Sequence, residues 1–247
     1  MIFSATRFDT IQLFSIPHIA VLILLTLACF GIIFYRKKLD PYKSVIKLVL
    51  CSILICCVIS LQTYLVLTDK WEIRDLPLNL CSLSTYLSIY LFFKSNNKVF
   101  NLLFFIGFIP PILSMLTPDN TYHFPHFRFL RYYLQHSAIA LSVLYFIIYD
   151  GYRVPKKAIY SSLFILNIIA VPIYLLNTLL DTNFFFLAKP AVESKTLLSY
   201  LGSGIMYYVN IEIIAILVSF LTYYPMKRLI ENENKNGMKE KEYMLSE

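Results

Sequence analysis

The chain has 247 residues, 58% of them hydrophobic and only 15% charged, with a mean hydropathy of +0.64. Soluble domains carry about a quarter charged residues, so a water-soluble globular fold is excluded. The net charge of +7 is read as loop lysines and arginines beside an anionic leaflet, not as a nucleic-acid footprint.

A helix crossing hydrocarbon needs about twenty apolar residues. Seven segments qualify: 15–35, 44–67, 76–93, 99–117, 129–149, 158–180 and 202–224. The first has no small-residue cleavage site and is followed by positive charge, so it is expected to be retained and not cut as a signal peptide. The first two carry Cys29, Cys51, Cys56 and Cys57 in apolar runs, where cysteine reads as a small core residue, and Gln62 sits near the far end of the second. The third lies in "RDLPLNLCSLSTYLSIYLFF", led by Pro77, a favoured first helical residue, with Cys81 about one turn in. The fifth carries Arg131 and His136, with Arg128 just before it, and the seventh carries Asn210 and Glu212 near its middle. The expectation is all-α: one polytopic seven-transmembrane-helix bundle over 1–226, followed by a charged, partly disordered cytoplasmic tail over 227–247.

Direction follows from the positive-inside rule. With the N-terminus outside and the C-terminus inside, fifteen cations fall on the inner side, among them Arg36, Lys37, Lys38, Lys94, Arg153 and Arg228. Seven remain outside: Arg7, Lys70, Arg74, Arg128, Arg131, Lys189 and Lys195. This orientation places all four histidines, His18, His123, His126 and His136, on the outer side together with Gln62 and Cys81. Cys81 and His136 both lie roughly 6–12 Å below the outer helix ends at ~1.5 Å per residue.

A cysteine and a histidine at matched depth suit nucleophilic acyl transfer, in which an imidazole takes the thiol proton. A helix N-terminus further favours the thiolate. Two packing residues are the competing reading. Asn79 is two residues from Cys81 and shares its face only if the start of the helix is irregular; Arg128 and Arg131 suit a lipid phosphate. Glu212 at mid-membrane costs several kcal/mol unless paired or protonated; a buried polar network with Asn210 is the favoured reading, and a proton relay stays open. Asp119, His123, His126, His136 and Cys81 could also be read as metal ligands, but H-x-x-H in a loop is a weak signal, and no metal is expected. Six glycines and five cysteines without paired spacing argue against nucleotide binding, disulfide frameworks and zinc ribbons; no cofactor is expected.

"LPLNLC" (76–81), "LTPD" (116–119), "HFPHFRFLRYYLQH" (123–136) and "TNFFFLAKPAVESKTLLSYLGSGIMYYVNIEIIA" (182–215) resemble the YwaF family of bacterial integral membrane proteins, which shares its pattern with the eukaryotic transmembrane protein 164. Pro77, Cys81, Pro118, Asp119, His136, Gly202, Tyr208 and Glu212 match the pattern. Asn79 departs from its usual histidine or glutamine, and 203–207 lack its tryptophans and proline. The resemblance implies a membrane acyltransferase that moves a fatty acyl group between phospholipids through a cysteine thioester, distantly similar to hydrolases of branched fatty esters. The cysteine carries over to Cys81 and the histidine to His136. The resulting expectation is a plasma-membrane enzyme whose partners are membrane phospholipids, not nucleic acid, with its site in the extracytoplasmic leaflet. Cys81 is the nucleophile and His136 the base; Asp119 orients His136 or caps the cleft. Gln62 or Asn79 stabilises the oxyanion, and Arg131 holds a headgroup phosphate. The alternative is a transporter or lipid-binding protein without covalent chemistry, using Glu212, Asn210 and Gln62.

Overall fold

The computed structural model describes residues 13–119, 122–187 and 197–244; Arg7, Lys189 and Lys195, counted above on the outer side, lie outside them. Among the described residues there are nine α-helices and no strand. They are α1 (Ile16–Phe34), α2 (Arg36–Leu39), α3 (Lys43–Leu67), α4 (Leu80–Phe93), α5 (Asn97–Gly107), α6 (Ile109–Leu116), α7 (Phe127–Ile148), α8 (Lys157–Leu180) and α9 (Gly204–Met244).

Five stretches are long and apolar enough to cross a membrane: Ile16–Phe34, Arg36–Leu67, Asn97–Leu116, Lys157–Leu180 and Gly204–Asn236. Two of the seven expected spans fall short, for different reasons. α4 has 14 residues, about 21 Å at 1.5 Å per residue against a core of about 30 Å. It starts at Leu80, not at Pro77. Leu76 precedes a proline and is held extended (ψ 135°) by clash with the ring, and Asn79 is extended as well (φ −80°, ψ 158°). Cys81 is therefore the second helical residue, nearer the helix start than expected. α7 has the length, 22 residues, but Arg128, Arg131, Gln135 and His136 make it too polar for a lipid-facing span.

The expected fourth span is broken at Phe108 (φ −108°, ψ −75°) into α5 and α6. Pro110 has no N–H to give the Ile106 carbonyl, and the Ser84 hydroxyl of α4 donates to that carbonyl at 3.2 Å instead. Gly107 beside the break is required by close approach: a Cβ there would meet Leu103 Cδ1 at 2.6 Å and Val143 Cγ2 of α7 at 3.1 Å.

α7 is the axis of the bundle and packs against α1, α3, α4, α5 and α6, while α8 and α9 pack on α5 and on each other. The core around α7 is aromatic, with Phe92 against Phe146 (centroids 4.7 Å) and Phe100 against Tyr152 (4.5 Å). Large apolar side chains point outward instead, among them Phe34, Phe93, Leu179 and Ile205, as expected of a lipid-facing surface. α9 does not stop where the apolar run stops. It continues as helix to Met244 through part of the segment expected to be disordered, supported by i,i+4 and i,i+3 pairs of Glu231 with Lys227 and Arg228.

The connections sort to two ends. At one, Arg153 pairs with Glu233 through Nε–Oε2 (2.9 Å), the Asn96 N–H donates to Tyr152 Oη (3.0 Å), and Lys43 and Lys47 face Asp150. Burial pushes the Asp150 carboxyl up, against those two lysines. Glu233, beyond the apolar part of α9, is held below the usual carboxylate range by the hydrogen bond from Arg153. At the other end lie His18, Asp75, Asn79 and Met115, joined by the contacts described next, and His126, whose Nδ1 accepts the Arg128 N–H (3.0 Å) at the start of α7.

Candidate functional site

The site is built on the C-terminal turn of α6. Its last carbonyls have no intrahelical donors, and Pro118 removes the N–H that would have reached Ser114. Three of them find donors, two from other helices. The Thr117 N–H donates to Leu113 O (3.0 Å), the Tyr132 hydroxyl of α7 donates to Ser114 O (2.7 Å), and His18 Nε2 of α1 donates to Met115 O (2.9 Å). The His18 tautomer follows, since Nδ1 accepts the Phe14 N–H at 3.0 Å. The "LTPD" turn is thus clamped by a tyrosine and a histidine from two other helices.

Cys81 faces this turn. Half-buried, it has the Ser114 hydroxyl against its sulfur and the Arg131 guanidinium within electrostatic reach. Its carbonyl accepts from Thr85 Oγ1 (2.8 Å), which in turn accepts from Gln135 Nε2 of α7 (2.8 Å). Both Thr85 and Gln135 are fully buried, so the start of α4 is pinned to α7 by a polar chain that lipid cannot replace.

His136 is 5% exposed. Its Nδ1 lies 2.7 Å from Tyr132 O; a carbonyl only accepts, so Nδ1 carries the proton and Nε2 keeps the lone pair that a base requires. The Tyr132 ring lies on the imidazole (centroids 4.2 Å, 36°). Among the described contacts the partner of the thiol is Ser114 and that of the imidazole is Tyr132, so the cysteine and histidine meet through Tyr132 and Ser114. Asp119 joins through the same residue, its backbone N–H lying against the Tyr132 hydroxyl.

The other expected residues divide into groups. Arg131 belongs with Cys81; its Nε donates to Cys57 O of α3 (3.0 Å). Arg128 lies further out, with Nη2 3.4 Å from Asp75 Oδ1 and its guanidinium 5.1 Å from the centroid of the Tyr122 ring. Gln62 uses both ends of its amide on the same rim, donating to Asp75 O (3.0 Å) and accepting from Trp71 Nε1 (3.0 Å). Asn79 does not cap α4 with its side chain; its Oδ1 accepts the N–H of Phe185 (3.3 Å). That loop is strained, with left-handed φ at Phe185 (59°) and Phe186 (52°). Asn177 holds it through Phe184 N and O (2.7 and 3.0 Å), and Tyr207 through Phe186 O (2.6 Å).

Glu212 and Asn210 stand apart on α9 and do not pair as expected. Asn167 Nδ2 of α8 donates to Glu212 Oε1 (3.1 Å), and Asn210 Nδ2 caps Leu201 O (3.0 Å). The two are only two residues apart, so they point to different sides of the helix. Among the described residues no three His, Cys, Asp or Glu side chains gather as a metal site.

Sequence reasoning missed Ser114, Tyr132, Thr85 and Gln135. The spacing did hold a signal for two of them: Tyr132 is one turn before His136, and Pro118 is four residues after Ser114. The orphaned carbonyl therefore called for a donor, and the histidine for a neighbour.

No curated protein and no solved structure matches the chain. The family model described as the TMEM164 family matches residues 13–223, from the turn before α1 through the apolar part of α9. The chain belongs to the TMEM164 family.

Proposed function

We propose that this membrane protein is a lipid acyltransferase or acyl-ester hydrolase working through a thioester on Cys81. The observation that carries the reading is the position of Cys81 in the first turn of α4, with a hydroxyl and a cation beside its sulfur and a histidine of defined tautomer in the same cluster. His136 Nε2 takes the Cys81 thiol proton as the sulfur attacks the ester carbonyl carbon, the acyl C–O bond breaks, and the departing alkoxide takes that proton from His136. A lysolipid hydroxyl or water then gives its proton to His136 and attacks the thioester; the C–S bond breaks and the leaving sulfur takes that proton back, restoring the thiol and the neutral imidazole.

Asn79 is better placed than Gln62 to stabilise the oxyanion. Its Oδ1 is fixed by Phe185, which leaves the Nδ2 donors, and the uncapped N–H groups of the first turn stand beside it. Gln62 serves the rim. Arg131 is the headgroup cation; Arg128 is already engaged by Asp75. Asp119 orients the cluster through Tyr132.

The same reading has seven passes in the plasma membrane, N-terminus outside, the active side extracytoplasmic, and membrane phospholipids as partners. The sorting of basic loops to one end and histidines to the other supports it. α4 and α7 then cross inside a protein sheath that spares them the length and apolarity of lipid-facing spans. The transport alternative retains Glu212 alone, because Asn210 and Gln62 serve separate local contacts.

Incubation with a phospholipid bearing an alkyne-tagged acyl chain tests the enzyme. A hydroxylamine-labile label on wild type that is lost in Cys81→Ala and kept in Cys56→Ala is the expected result. Undiminished lipid remodelling by Cys81→Ala overturns the nucleophile.

A further inference from the structure

We propose that Tyr132 is the positioning residue that sets the thiol and the imidazole in register, acting on Cys81 through Ser114 and on His136 directly. This rests on the acyl-transfer reading of Cys81 and extends it to a residue with no acid, base or nucleophilic task of its own.

Four contacts made by one side chain and its carbonyl converge here. The carbonyl fixes the His136 tautomer (2.7 Å). The ring fixes the plane of the imidazole (4.2 Å between centroids). The hydroxyl proton is given to Ser114 O (2.7 Å), and a lone pair of the same oxygen faces the Asp119 N–H. With that proton committed to a carbonyl, the phenol has none to give a leaving group, so its effect on the reaction is exerted through its neighbours.

The link to Cys81 is mechanical. Ser114 sits in the last turn of α6, where Pro118 has removed its carbonyl's helical partner. The Tyr132 hydroxyl is what keeps that turn closed and the Ser114 side chain turned to the sulfur. A phenylalanine at 132 keeps the ring on His136 and the carbonyl bond, but leaves Ser114 O without a donor in a lipid-excluded interior, a loss that buried groups rarely absorb unchanged. Ser114 Oγ then leaves the sulfur. The substitution therefore separates the arm to the thiol from the arm to the imidazole.

The test compares Tyr132→Phe, Ser114→Ala and the double variant in lipid nanodiscs. Two quantities are read: carbamidomethylation of Cys81 by mass spectrometry, which needs no turnover, and the kinetics of label transfer from the tagged phospholipid. Tyr132→Phe and Ser114→Ala are each expected to slow Cys81 alkylation several-fold. The double variant should be no slower than Ser114→Ala, because both act through one hydroxyl. Transfer should lose at least ten-fold in kcat with the apparent KM for lipid unchanged.

Equal further slowing by Tyr132→Phe in the Ser114→Ala background overturns the link through Ser114. Alkylation at the wild-type rate in both single variants overturns the positioning role altogether. If Tyr132→Phe does not fold, Ser114→Ala alone decides the link, since it keeps the carbonyl that Tyr132 binds; wild-type alkylation there refutes it. A wild type that never forms the thioester, yet shows the non-additive alkylation, keeps the register and discards the acyl-transfer reading.

Discussion

The pair α4–α7 and the pair α8–α9 use opposite chemistry within one bundle. On α4 and α7 the buried side chains include Ser84, Thr85, Ser88, Gln135, His136 and Ser142, each with a hydrogen-bond partner. On α8 and α9 the exposed side chains include Phe164, Val171, Leu179, Ile205 and Leu217. Only 6% of the apolar window of α8 and 11% of that of α9 is buried inside the protein, against 50% for α5–α6. Hydrocarbon outside cannot hydrogen-bond, so apolar groups face out and polar ones pair inside. The polar interior is what leaves a cysteine, a histidine and an arginine together near one end.

The sharpest break in that comparison is steric. Phe146 of α7 is fully buried against Phe92, Phe100 and Tyr152. Phe146→Ala is expected to cost about 3–5 kcal/mol, whereas Phe164→Ala on the lipid face of α8 should be within about 0.5 kcal/mol of wild type. Reversible unfolding in mixed micelles measures both. Equal losses would mean that α8 is covered by protein.

The next effect is polar. Thr85→Val strands Gln135 Nε2 in the interior and should cost about 1–3 kcal/mol. Thr85→Val combined with Gln135→Leu removes both partners and should recover part of that loss. Recovery separates a paired interior from one that water reaches. Glu212→Gln, on the sparsely buried pair, keeps a carbonyl for Asn167 and should change stability by less than about 1 kcal/mol. A transport pathway through Glu212 would instead show as lost flux with stability intact.

How much of this was legible in the sequence depends on which force decided it. The apolar runs located α1, α3, α8 and the start of α9 within a few residues, because lipid sets their length. The start of α4 departs from its apolar run: Pro77, a residue type favoured at a first helical position, instead restrains Leu76 to an extended conformation, and the helix begins only at Leu80. The split at Phe108 was written in "IPPI" but hidden by uninterrupted hydropathy. Cys81 and His136 stand out by type and depth and Asp119 by the family resemblance, and the structure gathers them around Tyr132, a residue that composition cannot distinguish from the other 18 tyrosines. Pairing of Glu212 with Asn167 was out of reach, since which helix lies beside α9 is a tertiary fact.

The smallest effect expected lies at the basic end, where α9 leaves the apolar region and returns to the bundle. Arg153 donates through Nη1 to Ile147 O and Tyr152 O (2.8 Å each), capping α7, and through Nε to Glu233. The Glu233 carboxyl is held low chiefly by that hydrogen bond, so its contribution is present above the ordinary glutamate value of about 4.3 and disappears as pH falls through the lowered one. Both side chains are partly exposed, so solvent and salt screen the pair. Glu233→Gln at neutral pH should raise amide exchange in residues 228–236 on the order of a few-fold, leaving α7 and α8 unchanged. Acidified wild type, after correction for intrinsic exchange, should approach the variant. Exchange identical in the two proteins at neutral pH would mean that the charged turns of α9 hold by their own i,i+4 pairs, with no anchor on the α7–α8 connection.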